Sequence, residues 1–220
     1  MKSPTHKFGA LFMASLLAYA GPAMAAGHDT SSVGPEESLR RLKTGNQRYA
    51  GNAVSAGKPT RARRAETAKT QHPFAIVVGC ADSRTSPEIV FDQNLGDLFV
   101  VRTAGNLVDD HALGSIEYAV GHLGTRLIVV LGHERCGAVK AALEGGPAPG
   151  HVNFLVRDIR PAVKAVKGMH GDALANAVHE NATQVAARIR RKAKLGEFAS
   201  QVRVVTGYYD LDTGKVKWGF

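Results

Sequence analysis

Two short clusters in this sequence carry residues that bind metals: Cys80-Ala81-Asp82-Ser83-Arg84 and His133-Glu134-Arg135-Cys136. Two thiolates, one imidazole and one carboxylate, from Cys80, Cys136, His133 and Asp82, can surround a single zinc ion tetrahedrally. If Asp82 swings away, three ligands remain and the fourth position opens to water. An open position marks a catalytic rather than a structural zinc. Arg84 stands two residues after Asp82, close enough to pair with its carboxylate. Asp82 therefore has two readings, fourth ligand or partner of Arg84.

The elements around the clusters are those that position a site. Each cluster directly follows an apolar run, Phe74–Gly79 and Leu127–Gly132. Continuous β-branched runs are the habit of strands buried on both faces of a parallel sheet. Such sheets keep their sites at the carboxyl ends of their strands. Cys136 also opens a helix through Leu143. There the macrodipole favours the thiolate, and the free N–H groups beside Gly137 suit an anionic product.

Two further core strands are expected, Asp97–Arg102 and Val202–Tyr209. Asp210-Leu211-Asp212-Thr213-Gly214 turns the chain into an edge strand, Lys215 to Trp218. Helices are expected over Pro35–Arg48, Arg61–Thr70, Ser86 through Phe91, Asp109/Asp110 to His122, Val152–Lys167 with a break or bend near Pro161, and Gly171–Leu195. The first two helices carry little apolar surface and read as an arm lying on the main domain or on a second subunit. Asn181-Ala182-Thr183 matches a glycosylation sequon but falls within a helix.

The chain of 220 residues supports one sizeable core, and 44% hydrophobic with 21% charged residues is an ordinary globular balance. The N-terminus has the pattern of a secretory signal: Lys2 and Lys7, an apolar stretch from Phe8 to Ala20, then Ala23-Met24-Ala25. That stretch is too short for a spanning helix. The expected organisation is a signal peptide over 1–25, a helical arm over 26–72 and an α/β core over 73–220. The mature protein is then periplasmic or secreted and has no membrane span. Its formal charge falls from +9 to +7 when Lys2 and Lys7 are removed. The basic runs, Arg61-Ala62-Arg63-Arg64 and Arg188-Ile189-Arg190-Arg191-Lys192, read as solvated helix faces rather than a nucleic-acid surface. A single disulfide is the default for two cysteines in an exported chain. Here both stand beside another metal-type ligand at a strand end, which argues for metal. His111, His122, His151, His170 and His179 are scattered and read as surface or core residues.

With both clusters in place, the chain resembles the β-class carbonic anhydrases. Phe91-Asp92-Gln93, Asp97–Arg102, Gly105-Asn106, Ser115-Ile116-Glu117-Tyr118 and Gly132-His133 extend the likeness over roughly Pro73 to Leu143, with an echo in Gly207–Asp210. The resemblance implies an α/β fold with a central, mainly parallel sheet of order 2-1-3-4 plus an antiparallel edge strand, flanked by helices. It implies reversible hydration of carbon dioxide to bicarbonate and a proton by zinc-bound hydroxide, with one Zn2+ per chain. Zinc lowers the pKa of its bound water from ~15.7 toward ~7. Two thiolates make the metal electron-rich, a shift the surroundings must offset. Paired with Arg84, Asp82 accepts a hydrogen bond from the hydroxide and orients it.

By the same resemblance, Gln71 binds a substrate oxygen, Phe99 and Tyr118 wall the pocket, and Gly137 N–H anchors bicarbonate. The pocket forms at a dimer interface, so a homodimer is the minimum assembly expected, with small-molecule substrate and no nucleic acid. One subgroup carries a regulatory bicarbonate site built on a tryptophan where this chain has Val77, with partners at Arg102 and Tyr209. The departure at Val77 points to the open, accessible type. The residues alone leave room for hydrolysis of carbonyl sulfide or carbon disulfide, for a non-catalytic zinc-binding protein, and for a disulfide-bonded binding module.

Overall fold

A computed structural model describes residues 33–55 and 60–219. Residues 1–25, expected from their pattern to be a signal peptide, lie outside the described residues. In chain order the helices are α1 (Pro35–Ala50), α2 (Arg61–Thr67), α3 (Pro87–Val90), α4 (Asp110–Gly121), α5 (Gly137–Glu144), α6 (Val152–Ala165) and α7 (Ala173–Lys192). The strands are β1 (Ala75–Gly79), β2 (Leu98–Arg102), β3 (Leu127–His133), β4 (Arg203–Tyr209) and β5 (Val216–Trp218). They form one sheet in the order β2-β1-β3-β4-β5, parallel except for the β4–β5 hairpin. This is the expected topology with its antiparallel edge.

β1 and β3 are buried at every position, as their unbroken apolar runs require. Their side chains alternate between two cores. Ile76, Val78, Ile128 and Val130 pack under Ile116 of α4 and Val185 and Ile189 of α7. Ala75, Val77, Leu127 and Val129 pack against Leu39 and Leu42 of α1 and Phe91 beyond α3. A third cluster caps the carboxyl ends of the strands, joining Cys80 and Cys136 to Val156, Ile159 and Val178. Gly132 is needed here, because a Cβ at that position would fall 2.9 Å from Val178 Cγ1. Its bare backbone lets α7 close over the end of β3.

Of the two helices expected as an arm, α1 lies on the main domain and forms a wall of its core. The buried Asn46 amide donates to the carbonyls of Val90 (3.0 Å) and Gly214 (2.8 Å), and its oxygen accepts from Val216 N–H (2.8 Å). α2 sits on the surface, burying no residue. Arg63 holds it there by bonds to Leu95 O and Asp97, each 2.8 Å. Pro161 does not break its helix, because Val156, Ile159 and Ala162 on one face of α6 are buried around it. Packing outweighs the one backbone bond that proline removes. No helix among the described residues is long and apolar enough to cross a membrane.

Candidate metal centre

The parallel registers bring the two motifs together. Gly79 of β1 lies opposite Leu131 of β3, so Cys80 and His133 emerge side by side. Cys136 follows a short turn and occupies the N-cap of α5. The ligand atoms of Cys80, His133 and Cys136 lie within 4.8 Å of one another, and all three residues are buried. The two sulfurs are 4.0 Å apart and both thiols are free.

His133 is oriented for a cation. Its Nδ1 faces the Glu134 carbonyl at 2.9 Å. A carbonyl only accepts, so Nδ1 carries the proton and Nε2 carries a lone pair. That Nε2 is buried with no hydrogen-bond partner. An orphaned acceptor costs free energy in the interior unless something fills its demand. A divalent cation among two sulfurs and this nitrogen does so, and the Cys2His donor set suits zinc.

The thiols respond to each other. Cys80 is held well below the usual thiol range, to about 4, chiefly by the hydrogen bond from Cys136, against the opposing effect of burial. Cys136 is pushed up in turn by Cys80 and by burial. Without a cation the buried pair keeps one proton, and a cation is what displaces it. Backbone donors assist both sulfurs. Gly105 N–H lies 3.3 Å from Cys80 Sγ, and the N–H groups of Val139 and Ala138 face Cys136.

Asp82 is turned to Arg84 in a two-point contact, Nε to Oδ1 at 2.9 Å and Nη2 to Oδ2 at 2.7 Å. The Arg84 backbone N–H adds a third bond to Oδ1 at 3.0 Å. Arg84 holds the carboxyl well below the usual carboxylate range, so it is ionised at any working pH. Asp82 Oδ2 nonetheless stands 3.9 Å from His133 Nε2, on the rim of the ligand cluster.

Sequence reasoning missed the frame that holds these groups. Arg102, at the end of β2, donates to the carbonyls of Cys80 (2.7 Å) and Asp82 (2.6 Å). Asn106 reaches Val78 O at 3.3 Å and also bonds Leu131 O, so it ties β1 to β3. Arg135 adopts a left-handed φ of 51° between His133 and Cys136, and its guanidinium grips both oxygens of Asp212. Arg102 lies opposite Gly79, the residue before Cys80, a register that only the folded sheet shows.

The remaining expected residues lie apart. Gly137 is exposed at the first turn of α5, beside Cys136. Gln71 is exposed in the segment before β1, at the opposite end of that strand from Cys80. Phe99 pairs with Ile76, which puts it ~13 Å along the strand direction from Cys80. Its ring lies 6.5 Å from that of Tyr118, which is 47% exposed on α4. Phe99 and Tyr118 thus come together, but not with the ligands of their own chain. Val77 is buried, Arg102 is committed to the Cys80 loop, and Tyr209 meets the Tyr49 hydroxyl at 3.0 Å.

A family model described as carbonic anhydrase matches residues 75–216. A carbonic anhydrase of Mycolicibacterium smegmatis is 41% identical over 195 residues, covering 83% of this chain and 92% of that protein. Carbonic anhydrase 2 of Mycobacterium tuberculosis is 46% identical over 136 residues, 60% of this chain and 66% of its own length. Among solved structures, the Coccomyxa β-carbonic anhydrase in complex with acetazolamide is 30% identical with a TM-score of 0.66, over 82% of this chain and 85% of that one. A tetrameric β-carbonic anhydrase from Sordaria macrospora shares the fold at a TM-score of 0.65 and 22% identity, over 83% of this chain and 96% of that one.

Proposed function

This chain belongs to the β-class carbonic anhydrase family, and from that premise we propose that it hydrates carbon dioxide at a zinc ion held by Cys80, His133 and Cys136. The observation that carries the reading is the buried, partnerless Nε2 of His133 facing two sulfurs while Arg84 holds Asp82 aside. Zinc bound there supplies a Lewis acid and a water acidified toward neutral pH. The chain's own residues do the rest. Asp82 is ionised and can only accept, so it takes a hydrogen bond from the attacking water and aims its lone pair at carbon dioxide. Arg84 keeps Asp82 in that role and out of the ligand set. The Gly137 N–H, at the positive end of α5, receives the charge of bicarbonate.

Gln71, Phe99 and Tyr118 act from a second protomer. Their distance from Cys80 within one chain and the exposure of Tyr118 support this, with a homodimer as the smallest complete unit. The residue pattern of the first 25 positions supports export to an oxidising compartment after cleavage. A closed, purely structural zinc would claim Asp82 as fourth ligand, and the three bonds from Arg84 speak against it.

The test is zinc content and carbon dioxide hydration on one preparation of the mature protein, from about pH 6 to about pH 9. About one zinc per chain, with activity rising with pH, supports the proposal. Zinc with no activity at any pH refutes it. A zinc-free, active protein refutes the metal assignment.

A further inference from the structure

We propose that Asn181 is a positioning residue for the metal centre, acting on the Cys80 sulfur through Gly105. Asn181 sits in the middle of α7, where asparagine is a poor helix former, and it is 3% exposed. A polar side chain is buried at such a place only with a partner. Its Nδ2 donates to Gly105 O at 2.7 Å. Gly105 in turn points its own N–H at Cys80 Sγ, 3.3 Å away. Two hydrogen bonds therefore run from the core helix to a proposed zinc ligand through one residue.

That residue has little freedom of its own. Gly105 has a φ of 71°, and a Cβ there would lie 2.6 Å from Ile159 Cδ1 and 3.3 Å from Ala138 Cβ. Only glycine fits the turn, yet glycine alone is flexible. The Asn181 bond fixes the peptide plane after Gly105, which anchors its Cα and limits how far the N–H can turn from the sulfur. An N–H aimed at a thiolate draws charge from the sulfur and weakens its donation to a metal. This is the compensation a two-thiolate zinc needs if its water is to be acidic near neutral pH. Outer-shell partners of this kind orient ligands and tune the metal.

The inference rests on the proposed zinc site, and its test separates the two. Cobalt(II) replaces zinc in the full-length mature protein, and the sulfur-to-cobalt absorption band is recorded beside the rate of zinc release to a chelator. Asn181→Leu keeps the branched shape, heavy atom for heavy atom, in a bulkier side chain and removes the donor. It should shift the band to longer wavelength as the sulfur regains charge, and speed zinc release ~10-fold because the freed turn no longer holds Cys80 in place. Asn181→Ser keeps a shorter donor, should fall between, and serves if the leucine variant does not fold. Val185→Ala loosens the same helix without touching Gly105 and should move neither readout. Asn181 variants indistinguishable from the parent overturn the proposal. So does an equal shift in Val185→Ala, which would make the effect one of packing. A parent protein with no sulfur-to-cobalt band overturns the metal site itself and this inference with it.

Discussion

Replacing Asn106 with alanine should cost ~3 kcal/mol of folding stability, most of it at the site end of the sheet. Asn106 is 2% exposed and stands at a φ of 60°, a left-handed conformation. Its amide donates to Val78 O and Leu131 O, each two residues before a proposed ligand, Cys80 or His133. Alanine leaves both carbonyls without that donor, at ~1 kcal/mol each even after partial compensation elsewhere. It also lacks the side chain that makes left-handed backbone tolerable, which adds ~1 kcal/mol. Against a total of 5–15 kcal/mol for a typical domain, this loss should lower Tm by about 6–12 °C in a chain of this size. Glycine at 106 relieves the backbone part and should recover ~1 kcal/mol of the loss. Aspartate tolerates the backbone but turns an acceptor toward two acceptors, and should be worse than alanine. Urea unfolding followed by Trp218 fluorescence measures all three, at one protein concentration because assembly is linked to folding. Alanine and glycine variants equal to each other and within ~0.5 kcal/mol of the parent would refute the reasoning.

Arg84→Ala should retain zinc by metal analysis yet lose ~100-fold in carbon dioxide hydration, since Asp82 keeps only the backbone bond to residue 84 and is freed toward the ligand cluster. Arg84→Lys, which cannot match the two-point contact, should recover part of that loss. Asp109 caps α4 by accepting from Ala112 N–H at 2.9 Å, so Asp109→Ala should cost ~1 kcal/mol in urea unfolding. That bond also holds the Asp109 carboxyl below its ordinary value of 3.8, so the folded protein binds fewer protons there than the unfolded chain. The cap's contribution is therefore complete above the ordinary value and lost as pH falls through the lowered one, and the alanine variant should lack that part of the acid sensitivity. Chelation should lower Tm and let an alkylating reagent modify both Cys80 and Cys136; zinc-free protein as heat-stable as the loaded form would argue against a folding-linked metal.

Much of the fold was legible because its signals are local. The apolar runs over Phe74–Gly79 and Leu127–Gly132 could be little other than buried strands, and both appear within a residue of the expected bounds. Asp109 as a helix cap and the turn over Asp210–Gly214 were equally visible, since each depends on neighbours along the chain. Arg102, Asn106 and Asn181 were not, because their partners lie 20 to 76 residues away. No spacing rule links a buried asparagine on α7 to a glycine turn after β2. Of the break or bend expected near Pro161, the break does not occur: the proline's effect on the backbone is local, whereas the packing that keeps α6 continuous is not.

The sequence by itself determined which donors are present and that two strand ends carry them. Ligand chemistry belongs to residue type, and strand polarity follows from the pattern of apolar residues. It left Asp82 with two states. Only the tertiary structure decided between them here, by setting the Arg84 guanidinium against both carboxylate oxygens and leaving His133 Nε2 bare. Charge and coordination depend on distances of a few ångströms between groups from separate strands, and those distances exist only once the sheet has closed.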